Sequence, residues 1–82
     1  MKIFKGYISI VCAETIKENG LNLIPGLQMN KYSFRNNGQW LCGGRKVSSY
    51  VLCDDNGDDI PEFEEVQFSK DRHNRFYIES IG

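Results

Sequence analysis

Residues 46–68, KVSSYVLCDDNGDDIPEFEEVQF, decide how this chain folds. Val47–Cys53 and Glu64–Phe68 are strand-like runs. In the first, Val47, Val51 and Cys53 fall on one face and Tyr50 and Leu52 on the other. Apolar residues on both faces predict a central strand rather than an edge. In the second, clean alternation points Val66 and Phe68 inward. The loop between them, residues 54–65, carries seven carboxylates (Asp54, Asp55, Asp58, Asp59, Glu62, Glu64 and Glu65) and no Lys or Arg. The stretch therefore predicts a β-rich core with one strongly negative edge.

The loop poses an electrostatic problem. Asn56-Gly57 is a type I′ turn signal, but a tight hairpin there would set Asp55 against Asp58 and Asp54 against Asp59. Like charges directly opposite one another destabilise a sheet. The loop must be wider than that, or something positive must compensate: Arg45, Lys46 or Arg72 of this chain, a divalent cation, or a basic partner. An EF-hand is not indicated, because its sixth position, counted from Asp54, is Asp59 rather than Gly. Pro61 lacks an amide hydrogen and belongs in the loop or at a sheet edge.

Upstream, Ile3–Cys12 reads as a first strand, with Phe4, Ile8, Ile10 and Cys12 on one face. Gly6 interrupts that face, a sign of a bulge or the close approach of another strand. Ala13–Asn19 is the only helical segment, with a Glu14–Lys17 pair and Gly20 placed to end it. Leu21, Leu23 and Ile24 are expected to tuck under the sheet before a turn at Pro25-Gly26. Asn37-Gly38 predicts a two-residue hairpin that sets Phe34 opposite Leu41 in the core and Arg35 opposite Trp40 outside, guanidinium over indole. Gly43-Gly44 with Arg45-Lys46 forms the next turn. Downstream, residues 70–75 are a polar turn and Phe76–Ile81 a last strand.

Five to six short strands joined by short connections predict an antiparallel arrangement in one domain, residues 1–82. The fold class is mainly β (α+β): a small, strongly bent sheet or barrel with the single helix over one opening. At 82 residues the chain buries only about 60–65% of its unfolded surface. Ten aromatics can supply much of so small a core. Phe34, Leu41, Val51, Leu52, Val66, Phe68 and Ile78 are the expected buried set.

Composition limits function. The net charge is −1, yet residues 1–50 carry seven Lys/Arg and two Glu (+5) and residues 51–82 carry three Lys/Arg and nine Asp/Glu (−6). Three cysteines cannot all pair within one chain. No signal-peptide pattern or membrane span is apparent, so free buried thiols in a reducing cytoplasm are expected. Cys12, Cys42, Cys53 and His73 lack the two-residue pairing of a zinc site, and no metal is expected. GGRK lacks the spacing of a phosphate loop, no cofactor motif stands in the chain, and no catalytic constellation does either.

The expected function is therefore a small non-catalytic protein-binding module. It docks through the acidic loop and adjoining sheet edge onto a basic surface of another protein, as phage or mobile-element regulators and inhibitors of host proteins do. A second reading places single-stranded nucleic acid on Lys31, Arg35, Trp40, Arg45 and Lys46, since small barrels interleave bases with aromatics. The slightly acidic chain counts against it. A third reading is a small-ligand or metal-binding domain.

Overall fold

A computed structural model describes residues 3–23 and 31–81 of the chain. Five strands form a closed barrel in chain order: β1 (Ile3–Ile8), β2 (Lys31–Cys42), β3 (Arg45–Cys53), β4 (Val66–Lys70) and β5 (Arg75–Ile81). One helix, α1 (Ile10–Glu18), follows β1, and a single 3-10 turn, Pro61–Phe63, precedes β4. Successive strands pair antiparallel. The closing pair differs: β1 and β5 run parallel, with Tyr7 opposite Arg75 and Ile8 opposite Phe76. The mainly β class and the strongly bent arrangement follow the sequence pattern; the parallel closure does not.

The core is aromatic. Phe34 and Phe76 stack with ring centroids 3.7 Å apart, Phe68 meets Phe34 edge-on at 5.2 Å, and Tyr50 meets Phe76 edge-on at 5.2 Å. Offset stacks and edge contacts of this kind add to the area that each ring buries. Gly6 allows this arrangement. A Cβ there would stand 2.5 Å from the Phe76 ring, so β1 passes β5 closely enough only as glycine. Val51, Leu52, Val66 and Phe68 are buried as expected, and Ile78 packs against the core partly buried.

Leu41 corrects the expected core, and with it the expected hairpin. Asn37-Gly38 does not turn the chain. β2 continues through it and pairs with β3 from Ser33↔Cys53 to Cys42↔Arg45, shifting register between Asn36 and Gln39. Gly43-Gly44 makes the reversal, both at positive φ (59° and 80°) as a type I′ turn needs. The later turn gives β3 a full-length partner, which a hairpin at residue 37 would have denied it. Asn37-Gly38 is instead absorbed as a β-bulge, with Asn36 Oδ1 accepting the Gly38 N–H at 2.9 Å. Past the bulge the ribbon outruns the barrel, and Leu41 is 68% exposed. Arg35 and Trp40 do lie on one outer face, but Arg35 is opposite Val51 and Trp40 opposite Val47, too far along the strand for guanidinium to cover indole.

α1 also starts earlier than expected. Ser9 caps it: its extended backbone (φ −66°, ψ 157°) and its Oγ, which accepts the Cys12 N–H at 3.1 Å, end the strand and begin the helix. The β-branched run Ile10-Val11 reads as strand, but the cap overrides that propensity. Ile10 then lies 80% exposed, while Cys12 and Ile16, four residues apart, face the core. The described connection after α1 is only partly tucked in: Leu21 packs on the core, Leu23 is exposed. Ile24 and the Pro25-Gly26 turn lie outside the described residues.

Candidate functional site

The acidic loop forms a wider structure than a tight hairpin. Asp54 organises its first half. Its Oδ1 accepts the N–H groups of Asn56 (2.8 Å) and Asp58 (3.0 Å), while its own N–H donates to Asp58 O at 2.9 Å. This Asx-type staple uses one carboxylate to hold the loop in place of binding anything else. Gly57 sits at φ +83° within it.

The compensating cation is Arg35, not Arg45, Lys46 or Arg72. Its Nε donates to Asp59 Oδ1 at 3.0 Å and its terminal nitrogen to Oδ2 at 2.7 Å, a bidentate pair. The guanidinium hydrogen bonds hold the Asp59 carboxyl below the usual Asp range. Asp59 also bridges back to Cys53. Because Arg35 stands opposite Val51 on the outer face of the sheet, the ion pair crosses β3 there. The buried Cys53 thiol lies 3.8 Å from Asp59 Oδ1, and burial raises its pKa. Ser33 Oγ donates to Asp54 O at 3.2 Å, and Gly57 closes on Ile3 of β1. The loop is thus laid over the barrel's outer wall, across β3, β2 and β1. The β3 edge beside it is taken up by the loop itself.

Ile60 and Phe63 anchor the second half. Phe63 is wholly buried and Ile60 packs against the core. Pro61 opens the 3-10 turn that carries Phe63 inward, a position where its missing N–H is no loss. Sequence reasoning passed over Phe63 because acids surround it. The signal was the i, i+3 spacing of two large apolar residues in an otherwise charged run.

Of the seven carboxylates, two are therefore employed in structure, Asp54 in the staple and Asp59 in the ion pair. Asp55, Asp58, Glu62, Glu64 and Glu65 are exposed, and none pairs with a Lys or Arg among the described residues. The five residues of the nucleic-acid reading are dispersed. Lys31 stands beside Tyr7 at one end of β2. Arg35 is bound to Asp59. Trp40, Arg45 and Lys46 lie on the β2–β3 ribbon at the other end.

Cys12 and Cys53 are free and buried, in keeping with the thiol expectation, and burial pushes the Cys12 thiol up to about 11. The Cys42 side chain lies outside the described structure. Among the described residues no group of three His, Cys, Asp or Glu could hold a metal ion, and no helix is long and apolar enough to cross a membrane. An apolar groove of about 580 Å³ runs beside α1, lined by Ile8, Ile10, Ala13, Ile16, Leu21 and Tyr32 among others. A small-ligand reading would have its space there. No family profile matches the chain, and no curated protein and no solved structure matches it.

Proposed function

We propose that this protein is a non-catalytic, cytoplasmic protein-binding module that docks on a basic surface of another protein through its acidic loop, in the manner of a small regulator or inhibitor. One observation carries the reading: five exposed carboxylates between residues 55 and 65 have no cationic partner among the described residues. Like charges held this close repel one another, and that repulsion is relieved when a cationic surface arrives. The loop is also held in place before any partner comes. The Asp54 staple, the Arg35–Asp59 pair and the Phe63 anchor keep the free carboxylates on a fixed frame, which lowers the ordering cost of binding.

The contact set is Asp55, Asp58, Glu62, Glu64 and Glu65. Asp54 and Asp59 support it. The test is an Asp55→Asn/Asp58→Asn/Glu62→Gln variant, which spares both supporting residues. It should fold with unchanged or slightly higher stability, while its association with captured partners slows and loses salt dependence. Capture of the same partners at the same rate would refute the proposal.

A further inference from the structure

We propose that the outer wall formed by β2, β1 and β5 binds single-stranded nucleic acid, with Tyr7 as a stacking platform between two cations. The barrel closure creates this surface. Lys31 of β2 is directly opposite Tyr7, and Arg75 of β5 is directly opposite Tyr7 on its other side. Directly opposed residues share a face, so Lys31, Tyr7 and Arg75 form one row across three strands, with about 4.8 Å between neighbouring backbones. Lys5 lies on the same face of β1, two residues along. Tyr7 is 53% exposed, and its strand position is flanked by Lys31 on one side and Arg75 on the other.

These cations are available to a ligand. Neither Lys5 nor Lys31 has an ion-pair partner among the described residues. Asp71 is the carboxylate nearest Arg75, but its Oδ1 accepts the backbone N–H groups of His73 (2.8 Å) and Arg75 (2.9 Å). Its side-chain contact to Arg75 Nε is 3.8 Å, too long for a hydrogen bond. Those backbone bonds shape the turn that presents Arg75 at the start of β5. Positive groups along a track with an aromatic face between them are what a sequence-tolerant single-strand site requires: phosphates meet the cations and a base stacks on the ring.

The acidic loop fixes the direction of the track. It covers the same wall at Ile3, Ser33 and Arg35, beginning about 7 Å from Lys31 along β2 at Ser33 and reaching about 13 Å at Arg35. A polyanion must therefore cross the strands along the Lys31–Tyr7–Arg75 row, away from the carboxylates. This surface uses none of the acidic loop's contact residues, so it stands or falls separately from the protein-docking reading.

The experiment is fluorescence anisotropy of a labelled oligo-dT with the intact chain at low salt. Saturable binding is expected, with a log–log salt slope of about −2 for three phosphate contacts. Tyr7→Ala should weaken binding about fivefold or more, and Tyr7→Phe should preserve it. Lys31→Met should flatten the slope by about 0.7. Lys46→Met, on the ribbon, should change neither, and Asp55→Asn/Asp58→Asn should tighten binding. Amide spectra would verify that each variant is folded. Failure to bind, a folded Tyr7→Ala variant with unchanged affinity, or equal competition by poly-glutamate, which would assign the wall to an acidic protein, would each overturn the proposal.

Discussion

Replacing Gly6 with Ala adds one carbon and two hydrogens, yet should destabilise the protein measurably. The new Cβ would stand 2.5 Å from Phe76 Cε2, 2.9 Å from Cδ2 and 3.0 Å from the Asn74 carbonyl oxygen. The Phe76 ring has no room to retreat, since Phe34 stacks on it at 3.7 Å and Tyr50 meets it edge-on. Overpacking of this kind costs about 1–3 kcal/mol. Against it, Ala restricts the unfolded chain and returns about 0.4–1 kcal/mol, because Gly6 is not among the positive-φ glycines. The net loss is about 0.5–2 kcal/mol, and for a domain of this size each 1 kcal/mol lowers Tm by roughly 4–8 °C. Urea denaturation followed by Trp40 fluorescence would measure it as a lower midpoint at constant m. The double variant Gly6→Ala/Phe76→Leu should lose less than the sum of its parts, because the smaller side chain makes room for the methyl. A Gly6→Ala protein as stable as the parent, or strict additivity in the double variant, would refute the account of how β1 closes on β5.

Phe63→Ala should cost about 3–5 kcal/mol, close to Phe68→Ala, whereas Leu41→Ser should shift the urea midpoint little; a neutral Phe63→Ala would mean the acidic loop is not anchored in the core. The folded-state pKa of Asp59 is depressed, so the stability it contributes is present above the unfolded Asp pKa and fades as pH falls below about 4. A carboxyl titration by NMR should show Asp59 returning to the ordinary range in Arg35→Met, and a titration unchanged by that substitution would rule out the ion pair as the cause. Cys12 and Cys53 should react with a thiol reagent far more slowly at pH 8 in the native protein than in denaturant, the Cys12 thiol being almost wholly protonated there. Rapid native labelling of Cys12 would contradict its burial.

The sequence alone determined the features that depend on local pattern. The two-faced apolar run Val47–Cys53 marked a central strand, and alternation around Val66 and Phe68 marked a strand and its inward face, because the side-chain period of a strand is two wherever it pairs. Gly6 announced a bulge or a close approach, and the charge of residues 54–65 announced a loop either wider than a tight hairpin or compensated by a cation. What only the tertiary structure decided depends on pairing between distant segments. Two turn signals, Asn37-Gly38 and Gly43-Gly44, lie within eight residues, and by local propensity both read as reversals. The winner was the one that gave β3 a full-length partner, and this carried Leu41 out of the core. Ser9 ended β1 because its hydroxyl could cap a helix whose Cys12 and Ile16 had a core to face. Arg35 found Asp59 across twenty-four residues because β2 paired with β3, and Tyr7 came to lie between Lys31 and Arg75 because the barrel closed β1 against β5. A contact of that kind depends on which strands become neighbours, and each strand's own residues fix only the face a side chain takes, not the neighbour it meets.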